Sequence, residues 1–232
     1  MGLWIGGPSN NQVEVDSGYK ALVTSVRPTD YVGTGITGGK VTGGLYRICV
    51  YATHTGAFAA NGDVFAFRWA HPTLNAVVWY VKFGYMAKII AITAVATLSY
   101  GLYFCRNYIT NSSAGTAVTF VADYYKKMTK VANTGLSLGD CRYATGAVLT
   151  AGTLTADSQP LAYLGGYAAV ANPSGVTSKD IYPVNMETEQ SSPVVLMANE
   201  GLHIRSITNY ANSHTIYFWV EMAWSEVPFG VF

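Results

Sequence analysis

Turn-forming residues interrupt this sequence so often that almost no apolar segment is long enough to form a helix. Six glycines fall between Gly33 and Gly44, and Asn61-Gly62, residues 111–115 and residues 172–175 are typical turn sequences. The segments between them are short and rich in β-branched and aromatic residues, which favours strands. We predict strands over residues 12–15, 19–26, 45–53, 63–70, 76–85, 88–98, 101–110, 141–150, 161–170, 193–197, 203–208 and 214–226.

Many short strands at this spacing indicate an all-β fold, an antiparallel sandwich with long loops. The chain has no composition break and no internal repeat, so we predict a single domain over residues 1–232 with an N-terminal arm. Residues 151–192 are rich in Gly, Ser, Thr, Ala and Pro, and we expect long loops there around one short strand. One short helix or an irregular excursion is compatible with residues 121–131, where apolar residues recur at helical spacing before Gly135.

The C-terminal segment has the clearest strand pattern. Every second residue from Ile216 to Trp224 is a large apolar one, and these alternate with Tyr217, Trp219, Glu221, Ala223 and Ser225. Because side chains of a strand point alternately to its two faces, the set beginning at Ile216 is predicted to face the core. Tyr217 and Trp219 then lie on the opposite face, which we expect to be half covered and to serve as an assembly surface.

Charge and composition exclude several classes of protein. Charged residues make up 12% of the chain, hydrophobic residues 50%, and the net charge is +1, which excludes intrinsic disorder. No basic patch points to nucleic acid or to an anionic membrane as a partner. The uncharged segment from Ile89 to Cys105 is shorter than a membrane-spanning helix and contains Gly101, which favours buried strands. A hydrophobic chain with so little charge is suited to assembly, where neighbours cover its surface.

Two short motifs match nucleotide-binding patterns only in their letters. Residues 33–38 read G-x-G-x-x-G, but a turn precedes them and no helical pattern follows, so we interpret them as a flexible loop. Gly39-Lys40 is followed by Val41, where a P-loop requires Ser or Thr. We therefore predict no bound cofactor.

A G-x-S-x-G motif at residues 135–139 resembles the nucleophile elbow of hydrolases. Asp157 or Asp180 and then His203 would complete the order of a catalytic triad around Ser137. That motif requires a strand before it and a helix after it, whereas here the order is reversed. A hydrolase built on Ser137, or on a pair of carboxylates that the sequence does not reveal, remains an alternative, and we predict that the chain is not an enzyme.

No pattern of metal ligands is present. The four histidines are scattered, and the three cysteines, Cys49, Cys105 and Cys141, contain no C-x-x-C pair. We predict buried free thiols and no metal site. Glu187 and Glu189 lie two residues apart in a polar stretch, which we interpret as a solvated edge.

Several short segments of the sequence are similar to segments found in one family of proteins. These are residues 13–22 followed by Arg27-Pro28, residues 65–70, 151–154, 157–161, 198–202 and 220–227. Together they resemble virion structural proteins of tailed bacteriophages, which cement or decorate heads or build neck and tail parts. The resemblance implies a jelly-roll-like domain, a location in the virion after assembly in the bacterial host cytoplasm, and no catalytic residues.

We therefore expect a virion structural protein whose partners are further copies of itself and other virion proteins such as the major capsid protein. Aromatic and aliphatic faces of the sheets, together with loops at residues 28–44 and 151–192, would cover the surfaces of neighbouring proteins. A carbohydrate- or receptor-binding β module is the alternative, since Tyr occurs 17 times and Trp five times and exposed aromatic rings also stack on sugars.

Overall fold

Strands make up almost all of the regular structure. The computed structural model describes residues 4–6, 12–16, 21–23, 45–55, 60–89, 99–121, 123–126, 134–165, 176–185, 194–209 and 214–228. The strands are β1 (Trp4–Gly6), β2 (Gln12–Asp16), β3 (Ala21–Val23), β4 (Leu45–Thr55), β5 (Asp63–Trp69), β6 (Leu74–Ile89), β7 (Ser99–Arg106), β8 (Thr116–Ala117), β9 (Cys141–Tyr143), β10 (Thr155–Ala156), β11 (Ala162–Gly165), β12 (Val176–Asn185), β13 (Val194–Leu196), β14 (Glu200–Ser206) and β15 (His214–Pro228).

The strands form two large antiparallel sheets. Sheet 1 has the order β12-β6-β15-β4, with β13 also paired to β6. Sheet 2 has the order β10-β7-β14-β5-β9-β8, with β11 also paired to β7. In the segment that we assign to an arm, β1, β2 and β3 form a small sheet of their own.

The strand pairs are nested along the chain. β4 pairs with β15, β5 with β14, β6 with β12 and β7 with β11, all antiparallel. The chain thus behaves as one long antiparallel ribbon that is wound into two facing sheets, which is the topology of a jelly roll. This arrangement confirms the predicted all-β sandwich.

β15 lies at the centre of sheet 1, between β4 and β6. Its even-numbered residues from Ile216 to Trp224 are all buried, with exposed fractions of 1% or less, as the alternation predicts. Rings from the two sheets meet in the core. The ring centroids of Phe67 and Trp224 lie 5.2 Å apart, and those of Phe83 and Tyr100 lie 5.1 Å apart, both edge to face.

A β-bulge lets β6 keep apolar side chains in the core on both sides of the bulge. Ala76 and Val78 are buried on even positions, whereas Val81 and Phe83 are buried on odd ones. The register to β15 shifts between these two sets, which leaves Trp79 as the extra residue. The extra residue reverses the alternation, and without it half of β6 would turn its apolar set to solvent.

One local expectation is corrected. Residues 151–192 contain β10, β11 and the ten-residue β12 instead of a single short strand. β12 pairs with β6 along a sheet edge, and an edge strand needs little apolar sequence. Residues 121–131 follow the irregular alternative: their described part has a 3₁₀ turn at Asp123–Tyr125, after which Lys126 forms a bridge to Tyr46 of β4.

Most other strand predictions agree with the fold in position. Residues 74–89, however, form one strand where two were expected, and of the strand predicted over residues 141–150 only β9 forms, followed by isolated bridges. The loop at 28–44 with its G-x-G-x-x-G motif, residues 90–98, Glu187 and Glu189 lie outside the described residues. Within the described part, no helix is long and apolar enough to cross a membrane.

Candidate assembly surface

The outer face of sheet 1 carries a group of aromatic side chains near one end of β15. Trp219 lies opposite Tyr51 of β4, and Tyr217 lies opposite Thr53. Tyr51 is 60% exposed, and Tyr217 and Trp219 are half-buried. The rings of Tyr51 and Tyr217 stack, with centroids 6.1 Å apart and planes 18° apart. We call Tyr51, Tyr217 and Trp219 the aromatic face.

An ion pair between Lys82 and Glu221 lies beside the aromatic face. The Lys82 ammonium lies 3.6 Å from the Glu221 carboxylate, which stands between Lys82 and Cys49 across the sheet. Cys49 is exposed, which corrects the expectation of three buried thiols, while Cys105 and Cys141 are buried. Partial burial and the Glu221 charge raise the pKa of the Cys49 thiol, so it is protonated at neutral pH and weakly nucleophilic.

The exposure of this outer face decreases along β15. Ala223 and Ser225, which point the same way as Tyr217, are buried. The indole N–H of Trp79, the bulge residue of β6, donates a hydrogen bond to the Ser225 hydroxyl. Along β15, the outward side chains that are open to a partner are therefore those at the end with the aromatic face.

The edges of sheet 1 are poorly suited to pairing with another chain. β4 is covered near both ends, by the bridge from Lys126 to Tyr46 and by the backbone bonds between Gly146 and residues 53 and 55. On the opposite edge, β12 has a register shift beside Pro183, which has no amide hydrogen to donate. The outer face is thus a better contact surface than the edges.

The structure does not bring the candidate triad residues together. Ser137 is in an exposed turn, where its amide donates to Asp140 Oδ2 at 2.6 Å, and the chain continues into β9 instead of a helix. Asp157 forms an ion pair with Arg106 at 3.0 Å. His203 is fully buried, and no hydrogen bond joins it to Ser137. Asp180 lies on β12.

Sheet 2 contains a buried charged cluster that the sequence did not predict. Asp63 Oδ2 lies 2.8 Å from His203 Nδ1, and Arg205 Nε donates to Asp63 Oδ1 at 2.5 Å. Burial alone would raise the pKa of Asp63, but the hydrogen bonds and charges of His203 and Arg205 outweigh it and lower that pKa. The two-residue spacing of His203 and Arg205 places them on one face of β14 and was the available signal; their partner Asp63 is remote in sequence.

No group of three or more His, Cys, Asp or Glu side chains suited to a metal ion occurs in the described residues. Comparison with known protein families, curated proteins and solved structures found no match to this chain.

Proposed function

We propose that this chain is a structural protein of a phage particle, which assembles with itself and with capsid or tail proteins to cement or decorate the particle. The observation that carries the proposal is the aromatic face, Tyr51, Tyr217 and Trp219, on the outer side of a jelly-roll sheet. The resemblance of the sequence to tailed-phage virion proteins supports the choice of partner.

The chemistry of the aromatic face suits a protein interface. Aromatic rings bury a large area at a low cost in conformational entropy, and they dominate the centres of interfaces. The adjacent charges of Lys82 and Glu221 compensate each other, so the face does not require a charged partner. We expect the aromatic face to be in contact with water in a single copy and to be covered by a neighbour after assembly.

A carbohydrate- or receptor-binding module is the second candidate function. The stacked, exposed rings of Tyr51 and Tyr217 favour it, because sugars bind to the faces of aromatic rings. Jelly rolls build both capsids and lectins, and the fold therefore supports either function.

Substitution of Trp219 by serine tests the first function. We expect Trp219→Ser to fold, because this side chain is half-buried on the outer face, and to bind about tenfold or more weakly to phage particles assembled without the chain. Tyr124→Ser is the matched control: Tyr124 is 66% exposed on the 3₁₀ turn, outside the loops expected to cover neighbours, and its loss should leave particle binding unchanged. Circular dichroism and a melting curve verify folding.

Wild-type affinity of Trp219→Ser for particles would contradict the proposal. Binding to a glycan array that is lost in Tyr51→Ser, with no binding to particles, would favour the carbohydrate-binding function instead.

A further inference from the structure

One arginine of β5 holds three loops together at an end of the sandwich. Arg68 Nε donates to the Tyr108 carbonyl at 2.6 Å, and Nη1 donates to Asn111 Oδ1 at 2.9 Å and to Asp140 Oδ1 at 3.2 Å. Nη2 donates to Asn199 Oδ1 at 3.3 Å. These acceptors belong to the loops that follow β7, precede β9 and precede β14.

Each of these three loops presents one exposed apolar side chain. Ile109 is 58% exposed, Leu138 69% and Met197 54%. We call these three residues the apolar tip. Hydrogen bonds hold the backbone at each position: the Ile109 amide donates to the Thr153 carbonyl at 2.8 Å, and the Met197 amide donates to Glu200 Oε2 at 2.8 Å. Leu138 lies in a turn closed by the Asp140 amide, which donates to the Ser137 carbonyl at 3.1 Å. A surface ordered in advance in this way loses little entropy on binding.

Among the described residues, the charges around the apolar tip balance. Arg68 pairs with Asp140 at 3.2 Å, and Arg106 pairs with Asp157 at 3.0 Å and with Glu200 at 3.5 Å. Arg142 donates to the carbonyl of Ala114. Three arginines therefore stand beside three carboxylates, and the complementary partner of the tip is an uncharged apolar surface.

The aromatic face is such an uncharged apolar surface, and it lies at the other end of the molecule. β5 ends at Trp69 and β6 begins at Leu74, which pairs with Pro228, so the tip is at the Pro228 end of β15. Trp219 is nine residues back along this strand, a distance of about 30 Å. One copy therefore cannot place its tip on its own aromatic face, but it can reach the face of a neighbour.

We propose that copies of this chain associate head to tail, with the apolar tip of one copy packed on the aromatic face of the next. This inference rests on the proposed function and names one partner of the aromatic face as a second copy. A contact between two different surfaces leaves a free tip and a free face on every pair, so association continues into a ring or a row.

Mixing two variants tests this geometry. The tip variant combines Leu138→Ser with Met197→Ser, and the face variant is Trp219→Ser. In sedimentation velocity, wild type is expected to form oligomers, while each variant alone associates about tenfold or more weakly. An equimolar mixture is expected to form a dimer and nothing larger, because one variant retains its face and the other retains its tip.

Three results would overturn the inference: a wild type that stays monomeric at its highest soluble concentration, a mixture of variants that stays monomeric, or variants that associate as wild type does. Tyr124→Ser, which changes neither surface, should associate as wild type does. If Trp219→Ser melts early, Tyr51→Ser takes its place. Loss of particle binding in Trp219→Ser without dimers in the mixture would refute the head-to-tail contact and leave the proposed function standing.

Discussion

Replacement of Glu226 by glutamine should change the way in which the stability of this fold depends on pH. Glu226 is near the end of β15 and only 1% exposed. Its Oε1 accepts hydrogen bonds from the Thr134 hydroxyl and, at 3.2 Å, from the Gly135 amide, while Oε2 has no partner among the described residues. Burial raises the pKa of Glu226 from 4.5 to about 7; the two hydrogen bonds and the nearby Trp224 indole lower it, but by less.

Proton linkage gives the direction in which stability changes with pH. Because folding raises the pKa, the folded chain holds this proton more tightly than the unfolded chain does. The resulting stabilisation is fully present below pH 4.5 and is lost as the pH rises through about 7. A pKa change of this size corresponds to about 3 kcal/mol, a large part of a typical unfolding free energy of about 5–15 kcal/mol.

Urea unfolding of wild type and Glu226→Gln across this pH range measures the effect. Glutamine does not ionise, so the stability of the variant relative to wild type should rise by about 3 kcal/mol from acid to mildly alkaline pH. Any constant effect of the amide cancels in this comparison. Glu221→Gln is the control on the outer face of the same strand and should change stability by about 0–1 kcal/mol. Parallel stability profiles for wild type and Glu226→Gln would refute the reasoning.

Other substitutions test the core, the buried cluster and the thiols. Phe218→Asp should abolish soluble folding, because it buries an unpaired carboxylate in the core at a cost of several kcal/mol; a normal melting curve would contradict this. Asp63→Asn should cost about 3–5 kcal/mol in urea unfolding, because it leaves the buried partners of the carboxylate uncompensated; a loss below about 1 kcal/mol would show that the cluster is unimportant. A thiol reagent should label Cys49 in the folded chain, whereas Cys105 and Cys141 should react only after unfolding; equal labelling of all three would contradict the described burial.

The local sequence was sufficient to predict structure where buried and exposed positions alternate with the two-residue period of a strand. The alternation from Ile216 to Trp224 correctly separated the core side of β15 from the side that carries Tyr217 and Trp219. Local sequence did not predict β12. This strand lies at the edge of sheet 1 and is held by its hydrogen bonds to β6, so it needs no apolar pattern of its own. Local sequence also failed near Trp79, where one extra residue reverses the alternation.

The sequence by itself determined the all-β class, most strand positions and which face of β15 is buried, because these follow from the two-residue period and from the turn residues. Only the tertiary structure decided which strands are neighbours. That order places Asp63 beside His203 and Arg205, and it gathers around Arg68 three loops that are far apart along the chain. A hydrogen bond or an ion pair between distant residues depends on how the ribbon is wound, and no local pattern contains that information.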